Sequence, residues 1–309
     1  MTDEGSSTGA GSQGTTGMDD DDDDDGSSST GQPSVLDPNV PPGQNFDLQH
    51  WKITLPDASE LDQQALVDGA ESQPDFFTDP KNGGMVFACP NDGNTTSSST
   101  QYARSELREM LREPGEDVST QGINANNWVT STSSDDARQA SGGVDGSLQA
   151  TLSVDAVSTT HDDGEAYMVG RVIVGQIHAP DDEPCKIYYR LLPGHTRGSV
   201  YWSYEPENGD DIYYELIGSR DTDAPEPDDG IALGERWSYS IDVVGHDLTV
   251  TITREDGRSS AATHTMSGDY DDAWLYFKAG VYNQNSGGDE GDGVQATFFA
   301  LEQSHAPPG

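Results

Sequence analysis

The chain has 309 residues and carries 15 Lys and Arg against 56 Asp and Glu, a formal net charge of −41. An acid excess of this size repels nucleic acid and anionic membrane surfaces, so neither is expected as a partner. No run of about 18 apolar residues occurs, so no membrane-spanning segment is expected.

Residues 1–44 are rich in Gly, Ser, Thr, Pro and Asp, lack Lys and Arg, and contain the unbroken aspartate run 19–25. Such a segment cannot bury enough apolar surface to fold and reads as a disordered acidic tether. Its first residues have no basic start and no apolar core, so they are not a signal peptide. The segment is similar to spacers that follow an export signal or lipid anchor in secreted haloarchaeal proteins. A secreted or surface-tethered protein is therefore expected, with the export signal outside this chain. The lysines are Lys52, Lys81, Lys186 and Lys278, and every other base is arginine. A lysine-poor, aspartate-rich surface repels itself unless salt screens it, which points to a halophile, with an archaeal source expected.

From residue 45 aromatic residues and alternating patterns begin and continue to the end, which predicts one domain over 45–309. Helical periodicity is confined to the stretch SELDQQALVDG at 59–69. Strand patterns dominate the rest, among them NWVTSTS, SLQATLSVDAV, YMVGRVIVGQIH, KIYYRLL, SVYWSYE, IYYELIG and VQATFFALEQ. Asp-Gly, Asn-Gly and Gly-Asp pairs separate many of them, and VVGHDLTV reads as a hairpin turning at Gly245-His246-Asp247. Many strands in one domain predict an all-β sandwich of two packed antiparallel sheets. Cys89 and Cys185 form one disulfide or stay as two free thiols, and the sequence leaves both open. Asn94-Thr95-Thr96 is a glycosylation sequon. A monomer is expected.

Three strands combine a core-like face with a chemically varied polar face. In YARSELRE (102–109), side-chain alternation puts Tyr102, Arg104, Glu106 and Arg108 together, opposite Ala103, Ser105 and Leu107. In GQIH (175–178), Gln176 and His178 share a face, while Ile177 lies opposite with Ile173 in phase. In YFKAGVYNQ (276–284), Tyr276, Lys278, Tyr282 and Gln284 share a face with Gly280, which is expected to leave room for a ligand near the backbone. Side by side, these strands would form a positive groove in a negative protein, which suits an anionic polymer.

Together with NFDLQHWKITLP (45–56), these segments resemble, in the same order, the characteristic regions of the polysaccharide lyase family 7 alginate lyases. The resemblance implies a β-jelly-roll sandwich with a groove across a concave sheet. It also implies depolymerisation of alginate by β-elimination, giving oligosaccharides with a 4,5-unsaturated non-reducing end. By the same resemblance, Arg104, Gln176 and His178 contact the substrate carboxylate, and His178 or Tyr282 takes the C5 proton. Tyr282 donates a proton to the leaving oxygen. Arg108 and Lys278 match substrate-binding positions, and Glu106, Tyr276 and Gln284 are expected to line the same groove. Glu106, between two arginines, is expected to pair with both. Ile at position 177 accompanies acceptance of guluronate or mixed blocks in this family, and endo action is expected.

No metal or cofactor is expected, because no His-x-x-x-His spacing, phosphate loop or nucleophile elbow occurs. The acidic stretches 181–183 and 289–292 read as solvated loops before calcium sites. His50, His161, His195, His246, His264 and His305 read as surface or structural. A glycoside hydrolase would need two carboxylates flanking the bond, and Glu106 is alone on the motif faces. A lyase for another polyuronate such as glucuronan, or a non-catalytic carbohydrate-binding module, are the alternative readings.

Overall fold

The computed structural model describes residues 35–98, 100–162, 166–266 and 268–309. Most of the expected tether, including its aspartate run, lies outside these residues. Among them the strands are β1 (Trp51–Thr54), β2 (Glu60–Leu61), β3 (Phe76–Thr78), β4 (Met85–Pro90), β5 (Arg104–Glu109), β6 (Trp128–Val129), β7 (Gly143–Ala156), β8 (Arg171–His178), β9 (Cys185–Arg190), β10 (Arg197–Tyr204), β11 (Ile212–Ile217), β12 (Ile231–Ala232), β13 (Trp237–Val244), β14 (Asp247–Arg254), β15 (Ser259–Thr265), β16 (Tyr276–Asn283) and β17 (Gly293–Ala306). They form a nine-stranded sheet in the order β11-β10-β9-β8-β16-β5-β1-β2, with β12 on β10. The second sheet is eight-stranded in the order β15-β14-β13-β7-β17-β4-β3, with β6 on β7. Every pairing between these strands is antiparallel except β6 with β7. This is the expected jelly-roll sandwich, with sequence-distant strands brought together in each sheet.

One apolar layer lies between the sheets. From the nine-stranded sheet Leu107, Ile177, Phe277, Ala279 and Val281 point inward, and from the other sheet Phe87, Leu148, Leu152, Ile241 and Phe298 meet them. All these side chains are almost fully buried. Each is worth roughly 1.5–3 kcal/mol of transfer free energy if large, which is what fixes strand register. The motif strands β5, β16 and β8 are neighbours in the middle of one sheet, so the predicted polar faces merge on its outer side.

Three local expectations change. The compact unit begins at Leu36, ahead of residue 45. The proline-rich stretch there packs: Pro42–Asn45 is a short helix with Pro42 buried, and the Asn45 side chain donates to the carbonyls of Asp37 at 2.8 Å and Gly83 at 3.1 Å. Helix formation in 59–69 is restricted to Gln63–Val67, because Asp62 caps it and Glu60–Leu61 pair with β1 instead. Ile173 is out of phase with Ile177: the β8–β9 register shifts between Ile173 and Gly175, and this bulge turns Ile173 to the outer face with Tyr188, Tyr201 and Tyr282. The hairpin at Gly245 is present, with β13 and β14 pairing up to Val244 and Asp247. No helix among the described residues is long and apolar enough to cross a membrane. Cys89 and Cys185 are both free and buried.

Candidate active site

Register brings the polar residues into rows. Arg104 lies opposite Tyr282, and Arg108 lies opposite Lys278 on one side and Lys52 on the other. Lys278 is in turn opposite Gln176, and Tyr276 is opposite His178. A cleft of about 250 Å³ opens over this patch, lined among others by Lys52, Arg104, Arg108, His178, Tyr276 and Lys278. Glu60, Thr96, Thr100 and Trp274 also line it. A larger cavity of about 530 Å³ lies elsewhere, on the eight-stranded sheet near Phe77 and Arg236, away from every motif residue.

Glu106 is the organising group. Its carboxylate is buried and accepts from Arg104 Nη1 at 3.2 Å, from Lys278 Nζ and from Gln176 Nε2. Burial works against its charge, but Lys278 and Arg104 more than offset this, so its pKa lies below the ordinary carboxylate value. Lys278 is buried beside Arg104, and both effects push its ammonium down to about 8, against the pull of Glu106. The expected pairing of Glu106 with both arginines is corrected. Arg108 turns the other way, donating to the carbonyl oxygens of Glu109 and Thr120 and to Asn127 Oδ1 at 2.7 Å. Its guanidinium also lies 4.1 Å from the Tyr276 ring centre. Arg108 therefore fixes the loop over the cleft edge and the ring of Tyr276, with its terminal nitrogens already satisfied.

His178 stacks on Tyr276, ring centres 5.0 Å apart and 10° from parallel, and Tyr276 stacks in turn on Trp274. Because the Ala179 carbonyl can only accept, Nδ1–H of His178 donates to it, and Nε2 carries the lone pair of the neutral ring. Burial and the neighbouring Lys278 push the His178 pKa down to about 4. The ring is thus neutral near pH 7 and able to accept a proton at Nε2. Glu183 Oε1 lies 3.3 Å from that nitrogen and would hold the ring once protonated.

Tyr282 carries the Arg104 guanidinium 4.1 Å from its ring centre, and burial raises its pKa while Arg104 opposes this. Its phenol is protonated near pH 7 and sits where a cation favours the phenolate. Glu106, Gln176, Tyr282 and Gln284 do not line the cleft itself; the first three contact one another or the lining residues Arg104 and Lys278, whereas Gln284 is buried and donates to the Asn283 carbonyl at 3.3 Å. Gly280 does not open the groove. Its φ is +138°, and a Cβ there would lie 2.6 Å from the Ser105 carbonyl oxygen and 3.1 Å from the Phe87 ring. The glycine lets β16 press against β5.

Sequence reasoning missed Glu183, which it read as part of a solvated loop, and Lys52, Glu60 and Trp274. The Lys52 ammonium binds Glu60 at 2.7 Å on the cleft wall. Lys52 lies inside a motif segment and Trp274 continues the alternation of β16, so both were within reach. Glu183 follows the strand and has no periodic signal. Asp292, in the other acidic stretch, clamps a loop by accepting from Thr159 N at 2.8 Å and Thr160 N at 2.7 Å. No group of three or more His, Cys, Asp and Glu among the described residues could hold a metal ion. His305 is structural, bonded to Glu109 at 2.8 Å.

A sandwich presenting buried cations, a neutral imidazole and a protonated phenol on one sheet face defines a polysaccharide lyase, an enzyme that eliminates across an acidic sugar. The chain belongs to the alginate lyase family, whose profile matches residues 46–305. It is 48% identical over 283 residues to an alginate lyase of Klebsiella pneumoniae, covering 85% of this chain and 91% of that protein. The crystal structure of the alginate lyase from Klebsiella pneumoniae superposes with a TM-score of 0.82 at 44% identity, over 86% of this chain and 99% of the other. An alginate lyase from Pseudomonas aeruginosa superposes with a TM-score of 0.61 at 27% identity, over 84% and 99%. A member of polysaccharide lyase family 7 gives 0.63 at 25% identity, over 86% and 99%.

Proposed function

We propose that this alginate lyase acts within the chain, on guluronate-containing or mixed blocks, with Arg104, Gln176, His178 and Tyr282 as its reacting and charge-binding groups. The observation that carries this reading is the lock around Glu106. One carboxylate holds Arg104 and Lys278 beside His178 and Tyr282, so two cations meet one fixed anion where the substrate carboxylate must sit. The C5 proton is poorly acidic because the C6 carboxylate is already negative, and this excess positive charge offsets that carboxylate as the dianion-like intermediate develops.

His178 Nε2 or the Tyr282 oxygen takes the C5 proton. The C5–H electrons form the C4–C5 double bond, the bond from C4 to the glycosidic oxygen breaks, and the Tyr282 phenol protonates that oxygen. For mannuronate, proton and leaving group are syn: the phenolate form of Tyr282, which Arg104 favours, takes the C5 proton, and the phenol so formed returns that proton to the leaving oxygen. For guluronate they are anti, and His178 serves as base from the other side. Endo action is supported by the outer face, which continues from Tyr282 toward β1 on one side and toward Tyr201 on the other. Ile177 is a weaker support for block choice, since its side chain lies in the core.

Salt adaptation and export follow from charge and tail composition alone, and the named relatives add nothing to either reading. Ultraviolet absorbance of alginate, polyguluronate, polymannuronate and glucuronan treated in high salt tests the substrate. A rise on glucuronan alone would replace the polymer, and binding without a rise would leave a carbohydrate-binding module. Tyr282→Phe is expected to abolish turnover and keep binding, and retained activity would remove Tyr282 from the mechanism.

A further inference from the structure

A second cluster of bases lies on the outer face of the same sheet, two strands from Tyr282. Arg171 on β8 is register-paired with Arg190 on β9, and Arg220 follows β11. With Tyr188, Tyr201 and Tyr213 they line a cavity of about 220 Å³. None of the three arginines is ion-paired with a carboxylate of a described residue, although the chain has 56 acids. Asp221 is the acid of the lining and is exposed. Arg190 is 4% exposed, and its Nη1 and Nη2 donate to the carbonyls of Arg220 at 2.8 Å and Tyr167 at 3.2 Å. The buried Nε atoms of Arg190 and Arg171 have no hydrogen-bond partner. Burial, with repulsion from Arg171 and Arg220, lowers the Arg190 pKa, and Tyr201 and Asp221 only partly oppose this.

The floor is aromatic. Tyr188 and Tyr201 stack with ring centres 4.9 Å apart, Tyr213 stands 6.3 Å from Tyr201, and Arg220 lies 3.8 Å over Tyr213. Tyr282 packs on the Ile173, Tyr188 and Tyr201 cluster, so this floor is continuous with the reaction centre. Strands about 4.8 Å apart put Arg190 about 10 Å to the side of Tyr282, a few sugar units along a polymer. Packing alone accounts for Arg190, which ties down two carbonyls; Arg171 and Arg220 bring two further charges to the same spot, resting on the rings of Tyr167 and Tyr213 and facing, among the acids of the lining, the exposed Asp221 alone.

We propose that Arg171, Arg190 and Arg220 form a distal subsite that grips a uronate carboxylate of the same alginate chain, with a sugar ring resting on the Tyr188–Tyr201–Tyr213 floor. The proposal rests on the alginate reading. It makes the arginines a ruler for chain length: only substrates that reach them gain from them.

The test compares Arg220→Ala and Arg171→Gln with the parent enzyme on polymeric alginate and on the shortest oligosaccharide the parent cleaves. Each variant is expected to raise KM for the polymer about tenfold, the loss of one charge-assisted contact, with kcat and the short-substrate rate little changed. Arg236→Ala serves as the control. It removes the same charge from beside Phe299 on the eight-stranded sheet and is expected to change neither rate. Equal losses on both substrates, no loss on either, or a matching loss in Arg236→Ala would each overturn the subsite. Absence of any absorbance change with the parent on alginate would instead remove the substrate reading itself.

Discussion

Replacing Glu106 by Gln keeps the side-chain shape and removes the buried anion that Arg104 and Lys278 share. In the native protein that carboxylate is buried and accepts from Arg104, Lys278 and Gln176. The amide of the Glu106→Gln variant could satisfy hydrogen bonds but would leave the buried Lys278 ammonium and the half-buried Arg104 guanidinium with no anion between them. Breaking a buried ion pair from one side costs about 3–5 kcal/mol, which corresponds to a fall in melting temperature on the order of 10 °C for a domain of this size. The cost is tied to pH through Lys278. Its ammonium titrates at about 8 in the folded protein against an ordinary 10.5, so the unfolded chain binds the extra proton between those values and stability rises with pH across them. Without Glu106 the folded value drops below 8, the loss of charge begins earlier, and the stability deficit of the variant narrows as pH climbs toward 8. Urea unfolding of parent and variant at several pH values between about 6 and 9 measures this. A deficit below about 1 kcal/mol, or one that does not change with pH, would refute the view that Glu106 holds two repelling cations in place.

The pH dependence of kcat/KM is expected to keep an acid limb near 4, where His178 gains its proton, and an alkaline limb near 8, where Lys278 loses its own. An acid limb at the ordinary histidine value would place the working base elsewhere. Because the folded His178 value is depressed, its stability contribution is full above about 6.5 and is lost as pH falls through about 4, roughly 3 kcal/mol in all. His178→Asn should flatten that part of the stability curve, and an unchanged slope would contradict the assignment. Stability to urea should rise with salt toward molar levels as screening relieves self-repulsion, and a maximum in dilute buffer would sink the salt-adapted reading. Both thiols are buried with their pKa values pushed up by burial, so a thiol reagent should label neither cysteine until the protein unfolds.

The sandwich was legible because period-2 alternation records which side of a strand meets the core. Ile177, Phe277 and Leu107 face inward as their alternation requires. The same rule failed where a bulge inserts a residue: nothing in RVIVGQIH says that the register slips between Ile173 and Gly175, yet that slip moves Ile173 to the aromatic strip beside Tyr282. Gly280 was visible as an exception in its strand, but the reason for it lies in the backbone of β5, which sequence does not display.

The site was legible as a set of residues and not as a set of bonds. Alternation put Glu106, Arg108, Gln176 and Lys278 on one outer face, and an outer face suggests solvent. The structure gives them exposures of 1%, 6%, 1% and 5%. Burial changes what each can do. In water, Glu106 and its neighbours would be loose pairs worth little. Under cover they become a fixed charge arrangement, which lowers the lysine value and keeps the histidine neutral. That cover comes from segments without any periodic signal, the 118–127 loop tied to Arg108 and the turn carrying Glu183 beside His178. The candidate groups can be picked out from strands, but their protonation states are set with the help of loops, and only the assembled chain shows which loop lies over which strand.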